Sequence, residues 1–394
     1  MSHLDYYIRH NISPVRYDLS SLAAHFQRRE GLYRTLGLLP LTVRGANVLE
    51  VAAGSGQNSL YLASLMPSRL TLVEPNPAAI KTIKECYSSL SLPHTKPEVV
   101  ERRLEDYTPR QKVDIVICEN WLGTRTAERI LLKKLGTFLA KDGVLVITCV
   151  VPAGFLPNIV RRALAAKLVG KLENFDDQTR ALVAAFAPHL ATIRGMTRTA
   201  VDWVQDNMLN PAYFDLCLTV PMLIEALGKD FQASSVSPDF KMDWRWFKTL
   251  HGKDFEFNRV LLDSYFQNYL SFLDYRQVYP NQRVARGVAI DSAALSLVGA
   301  VREFERRELA CRGGTHKRAA RNRVVAGINK ILRLLDGLET AAKGGLREAV
   351  GLLQQQALSS RDIAQARRLG KWFGRETIYV ALERRDGGTT VKWK

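Results

Sequence analysis

The sequence predicts an α/β fold organised on a parallel sheet that is buried on both faces. Two observations carry this. Between residues 44 and 151, short β-branched or leucine-rich runs alternate with amphipathic stretches, and the runs are continuously apolar rather than alternating. One of them, 48–51, leads directly into a glycine turn at Gly54-Ser55-Gly56 and then into a helical pattern.

The elements follow in order. Residues 11–40 predict helix, with apolar positions at Leu19, Leu22, Phe26, Leu32, Tyr33 and Leu36, closed by Gly37 and Pro40. Strands are predicted at 47–51, 70–74, 98–103, 113–118 and 143–151, separated by helices or a loop. Beyond Pro152 the pattern is helical to about residue 215, with a short helix at 221–227 and a short strand at 232–237. The aromatic-rich stretch 244–275 reads as helical. Amphipathic helices are predicted at 291–310, 318–338 and 346–355, broken by Gly-Gly pairs at 313–314 and 344–345. A strand at 377–384, an Asp-Gly-Gly turn and a short strand ending at Trp393 complete the chain.

A chain of 394 residues accommodates two domains or one domain with large insertions. Its formal net charge is +17, and residues 281–394 hold 23 Lys/Arg against 11 Asp/Glu, a net of +12. A basic last third suits an anionic partner (nucleic acid, an acidic membrane or an acidic glycan), or it is a solvated helical surface. Cys86, Cys118, Cys149, Cys217 and Cys311 are scattered singly, without metal-ligand spacing, so no metal site is expected. Single cysteines and a polar N-terminus without a signal-peptide pattern predict a reduced, cytoplasmic chain. No apolar run reaches the roughly 18–20 residues of a membrane span, so no transmembrane segment is expected.

The chemistry concentrates in residues 48–63. Glycines at 54 and 56 allow close approach of the backbone to a ligand and dihedrals closed to other residues. The following helix start presents free amide donors. Eighteen residues beyond Gly56, the next strand ends in Glu74, where a carboxylate can accept both hydroxyls of a ribose. The spacing is not Gly-x-Gly-x-x-Gly, because Gln57, Asn58 and Ser59 follow Gly56. Glu50, inside the end of the first strand, suits a cationic cofactor better than a diphosphate.

Residues 44–151 resemble class I S-adenosylmethionine-dependent methyltransferases. The resemblance implies a Rossmann-like, mostly parallel sheet of seven strands with an antiparallel seventh, S-adenosylmethionine as cofactor, and a methyl transfer reaction. Glu50 matches the acid of the family's first motif; Ala52, Gly54, Gly56 and Asn58 fall in its turn. Glu74 and Pro75 follow the second strand. Glu105 and Asp106 fall where the family contacts the adenine, and Glu119 closes the fourth strand. Asn120 and Trp121 are placed toward the acceptor. One departure stands out: Ala52 occupies the first glycine position, where a methyl group is tolerated if the backbone is not at positive φ.

This reading divides the chain into an N-terminal helical cap (1–43), the cofactor-binding core (44–151), a helical insertion on the acceptor side (152–218), the rest of the sheet (219–239 and 375–394) and a basic helical insertion (240–374). Within the insertions, Asp202 and Asp206 lie four apart and share a helix face, offering a general base or an amine-binding carboxylate, or simply a solvated acidic face. Tyr213 faces the acceptor or packs in the core. His189 serves as a base or as a helix-end histidine, and His25 has the same two readings. Trp244, Trp246 and Phe247 stack on a sugar or anchor the stretch by packing.

A sulfonium methyl is already activated, so the protein has to align donor and acceptor and exclude water. The long basic and aromatic insertions point to a polar small molecule or saccharide as acceptor, and the core with its N-terminal helix loosely resembles methyltransferases encoded with bacterial surface-polysaccharide pathways. The segment VDIVICENWLG also resembles protein arginine methyltransferases, although Asn120 intervenes before Trp121. Protein or RNA methylation, or a cofactor-binding pseudoenzyme, are the alternatives, and the basic third leaves nucleic acid open as a partner. The acceptor and the oligomeric state are not legible in the sequence.

Overall fold

The computed structural model describes residues 3–12, 17–123, 126–310 and 314–385. The expected final strand through Trp393, and Cys311, lie outside them. The chain forms two compact units. The first is Met1–Val150, Asp215–Tyr265 and Thr377–Lys394; the second is Val151–Phe214 and Phe266–Glu376.

The first unit is built on a seven-stranded sheet. Its strands are β1 (Asn47–Val51), β2 (Arg69–Val73), β3 (Glu98–Val100), β4 (Val113–Cys118), β5 (Leu139–Val150), β6 (Phe231–Ser237) and β7 (Thr377–Arg384), in the order β3-β2-β1-β4-β5-β7-β6. The first five are parallel. β7 runs antiparallel to both β5 and β6, as expected for the last strand. Val48, Leu49 and Val51 of β1 and Ile115 to Cys118 of β4 are almost fully buried, the condition that makes continuous apolar runs necessary. Strand order reverses between β1 and β4, and ligands of open α/β sheets bind beyond the carboxyl ends of the strands at such a point.

Helices cover the sheet. In α1 (Leu22–Thr35), Ser21 caps the N-terminus by accepting from the Ala24 amide. Tyr33 of α1 stacks on Tyr61 of α2 (Ser59–Ser64), with centroids 5.8 Å apart. α3 (Pro77–Ser88) starts with Asn76 as cap and Pro77 at the first position, and buries Ile80, Ile83 and Tyr87. α4 (Thr126–Phe138) buries Leu131, Leu132, Leu135 and Phe138.

Residues 240–265, placed in the helical insertion from the sequence, belong to the sheet unit. The expected helix over 244–275 is also shorter: it runs Phe257–Gln267, preceded by single 3-10 turns. Two local features explain this. Asp243 accepts the Arg245 amide at 3.1 Å, a turn that competes with helix, and Gly252 sits at φ +58°.

The second unit is helical: α5 (Pro152–Val169), α6 (Phe175–Leu190), α7 (Val284–Ala310), α8 (Gly314–Leu334) and α9 (Ala341–Gln354). α7 packs against α5 and α8 through Ile290, Ala294, Leu297, Val301 and Phe304. Over Val284–Leu309 its length and mean hydropathy of 1.5 match those of a membrane span, with 44% of that window buried. α5 is buried along nearly its whole length, Arg161 and Arg162 included. Arg161 donates to the carbonyls of Leu369 and Trp372, and Arg162 to those of Asn207 and Asn210 and to the Glu305 carboxylate. These bonds are what makes two buried guanidinium groups tolerable.

Candidate active site

At the carboxyl ends of β1, β2 and β4, the first unit gathers three buried carboxylates: Glu50, Glu74 and Glu119. The turn after β1 is strongly left-handed, with φ of +58° at Ala52, +55° at Gly54 and +68° at Gly56. Ala52 is therefore in the conformation that the sequence reading set as the limit of tolerance for a methyl group. It is held there by its amide, which donates to the Val73 carbonyl at 2.9 Å. Gly56 has no such latitude: a Cβ would meet Ile83 Cγ1 at 2.7 Å.

Glu74 ties the turn to the end of β2. Its two oxygens accept the amides of Gly54 (2.8 Å) and Asn76 (2.9 Å), which leaves a lone pair on each for a further donor. Burial pushes its carboxyl up to about 7, against those two amides, which hold it down. Pro75 beside it is half-buried. Glu50 is 3% exposed; it bonds to Ser59, and its Oε2 has no partner. Burial first, and the Glu119 charge second, push it up to about 8.

Glu119 is held by Arg29 of α1, whose guanidinium donates to both of its oxygens, one at 3.2 Å. Asn58 Nδ2 (3.1 Å) and the Tyr379 hydroxyl (3.4 Å) also donate to Oε2. Arg29 additionally donates to the Tyr33 hydroxyl at 2.6 Å. The N-terminal segment makes further bonds to the turn. The Tyr17 amide donates to Gln57 Oε1 (2.6 Å), His25 Nε2 meets the Gln57 carbonyl (2.9 Å), and Asn76 Nδ2 donates to the Ile12 carbonyl (3.0 Å). Burial lowers the His25 pKa.

The donor set fits a cationic nucleoside. Three buried acids face one guanidinium, so the cluster carries a net acceptor excess, and Glu50 Oε2 is an orphaned acceptor within it. S-adenosylmethionine would be held by Glu74 at its ribose and by the Glu50 side of the turn at its charged end. A separate cleft of about 250 Å³, lined by Asn47, Arg69, Glu98, Tyr107 and Arg110, opens at the opposite, amino ends of the strands. The carboxyl edge is the chemically relevant one.

The other predicted residues are distributed more widely. Glu105 and Asp106 lie exposed on a 3-10 turn, Leu104–Asp106. Asn120 is exposed at φ +52°, its amide donating to Thr148 Oγ1 at 2.5 Å, and Trp121 is half-buried. In the second unit, Asp206 accepts from Arg198 at 2.7 Å, and the Asp202 carbonyl accepts from the same guanidinium at 3.3 Å. His189 is 1% exposed between Arg161 and the Ile363 carbonyl, and burial with the Arg161 charge lowers its pKa to about 4. Tyr213 is buried and accepts from Asn158 Nδ2 at 3.0 Å. Trp244, Trp246 and Phe247 are 90%, 61% and 71% exposed, so packing does not explain them.

Arg29, Tyr379, Asn158 and Glu376 were not read from the sequence. Arg29 left a signal: it falls in the middle of the α1 stripe formed by Leu22, Phe26, Tyr33 and Leu36, where a charge has to be paired.

Residues 48–143 match a family model described as a methyltransferase domain. No curated protein matches the chain. Among solved structures, the CcbJ methyltransferase of Streptomyces caelestis is 20% identical over 32% of this chain and 50% of its own, with a TM-score of 0.27. The N-methyltransferase NodS of Bradyrhizobium japonicum WM9, in complex with S-adenosyl-L-homocysteine, is 21% identical over 31% of this chain and 60% of its own, with a TM-score of 0.26. Magnesium protoporphyrin IX methyltransferase (ChlM) of Synechocystis PCC 6803, with bound S-adenosylmethionine, is 15% identical over 37% and 74%, with a TM-score of 0.30. The chain thus spans about half to three quarters of the length of these proteins. Residues 48–143 thus carry a methyltransferase domain, and the glycine turn, the strand-end acids and the Rossmann-like sheet order are consistent with the S-adenosylmethionine-dependent class I.

Proposed function

We propose that the chain is an S-adenosylmethionine-dependent methyltransferase whose acceptor is a polar small molecule or saccharide. The observation that carries the cofactor assignment is the cluster of Glu50, Glu74 and Glu119 around the left-handed turn, with a single guanidinium against them. When bound, the cofactor supplies a methyl group already activated on a sulfonium. The residues of the chain do the rest. Glu74 fixes the turn through two backbone amides and presents the remaining lone pairs to a diol. Arg29 holds Glu119 in place and neutralises it. The N-terminal segment, through Tyr17 and His25, ties down Gln57 beside the turn and shields it from water.

The exposed Trp244, Trp246 and Phe247 support a saccharide over an apolar acceptor, since aromatic faces with polar surroundings suit sugar rings. The decisive experiment is calorimetry with S-adenosylhomocysteine, followed by transfer of labelled methyl from S-adenosylmethionine into nucleotide-sugar and glycan pools. Label in a small product is expected; label only in protein or RNA would overturn the acceptor class. RNA retention that vanishes at physiological salt would set aside a nucleic-acid acceptor.

A further inference from the structure

We infer that the cleft at the amino ends of β1 and β2 binds a small phosphorylated anion, separately from the cofactor. The inference does not rest on the methyltransferase reading. Every residue of the cleft belongs to the sheet unit.

Topology makes the cleft. β3 stands at the edge of the sheet and β4 lies beyond β1, so the chain leaving β3 has to pass β2 and β1 before it starts β4. Such a crossover between parallel strands is usually a helix that covers the sheet face. Here residues 101–112 carry only the 3-10 turn Leu104–Asp106. The cleft of about 250 Å³ lies between this crossing and the strands, with Val48, Thr71 and Val100 on the strand side and Tyr107 and Arg110 on the crossing. The crossing is pinned to α4. Lys134 Nζ donates to the Glu105 carbonyl at 2.6 Å, Lys112 Nζ donates to the Thr137 carbonyl, and the Tyr107 ring meets Phe138 edge-on with centroids 6.1 Å apart. The walls are therefore pre-organised, which lowers the ordering cost of binding.

Charge selects the ligand. The lining holds four cations, Arg69, Arg102, Arg110 and Lys112, against one carboxylate, Glu98. Glu98 is taken by Arg69, which donates to it through Nε at 3.0 Å. Lys112 is committed to Thr137. Arg102 and Arg110 are exposed, and among the described residues their guanidinium groups pair with no carboxylate. Each presents a planar fork of N–H donors, the geometry that phosphate oxygens accept. An anion between them also relieves the repulsion of like charges around one cleft. Volume sets the size. The cleft is smaller than the roughly 300–1,000 Å³ of sites for drug-sized ligands, so it takes a phosphate or diphosphate with a short organic group and not a dinucleotide.

The test is calorimetry on the full chain at low salt with pyrophosphate, and with ribose 5-phosphate against ribose. Pyrophosphate and ribose 5-phosphate are expected to bind one to one, and ribose not to bind. The double variant Arg102→Gln with Arg110→Gln should weaken both by at least roughly ten-fold, as loss of charge-assisted bonds does. Arg318→Gln with Arg323→Gln removes the same charge from exposed positions of α8 and should leave binding unchanged. Thermal unfolding midpoints show that both variants are folded. Saturating pyrophosphate should leave S-adenosylhomocysteine binding unchanged. Absence of pyrophosphate binding, equal weakening in the two double variants, or competition between pyrophosphate and S-adenosylhomocysteine overturns the site. A wild-type chain that binds no S-adenosylhomocysteine strikes the methyltransferase reading instead, and the comparison of the two double variants still decides the anion site.

Discussion

Arg29 and Glu119, ninety residues apart, form a buried two-pronged ion pair with side chains 7% and 6% exposed. It joins α1 to the carboxyl end of β4. Removing one partner leaves the other charged and desolvated, so Arg29→Ala should destabilise the sheet unit by about 3–5 kcal/mol. Replacing both, as Arg29→Met with Glu119→Leu, should cost less than either single change. Urea unfolding of the four proteins in a double-mutant cycle checks this, and additive losses would contradict it.

Stability of the cofactor-free chain should fall as pH rises across neutrality. Glu50 and Glu74 are raised to about 8 and about 7, above the ordinary 4.5. The folded state therefore retains protons that the unfolded chain has released. Their contribution is complete below about pH 4.5 and is lost as pH rises through 7 to 8. Glu50→Gln should gain about 1–2 kcal/mol relative to wild type between pH 6.5 and 8.5, read as a shift in the urea midpoint.

The same carboxyl couples to the ligand. A sulfonium favours ionised Glu50, whereas the neutral thioether of S-adenosylhomocysteine does not. S-adenosylmethionine should gain affinity over S-adenosylhomocysteine as pH rises from 6 to 8.5. Its binding should release protons, visible by calorimetry in buffers of different ionisation enthalpy. Glu50→Gln should remove the difference.

The turn offers paired changes of opposite sign. Ala52 sits at φ +58°, where a Cβ is strained, so Ala52→Gly should be neutral or stabilising by up to about 1 kcal/mol. Gly56→Ala adds a Cβ at φ +68° and 2.7 Å from Ile83, and should cost more than about 1 kcal/mol with weakened cofactor binding. Thermal unfolding with and without S-adenosylhomocysteine measures both effects.

The sequence by itself determined the sheet and its cofactor motif. Both are local: a strand buried on two faces has to be continuously apolar, as 115–118 is, and a left-handed turn calls for Gly54 and Gly56. Glu50, Glu74 and Glu119 were legible because each stands at or just beyond a strand end. The tertiary structure decided what their charges meet. That Arg29 of α1 lies on Glu119, that Ala52 takes positive φ, and that Asn158 and Glu376, 218 residues apart, share a hydrogen bond all depend on long-range packing. Periodicity reports which face of an element is buried; it carries no record of the partner across the interface, and the partner fixes the charge state and the chemistry of a buried polar group.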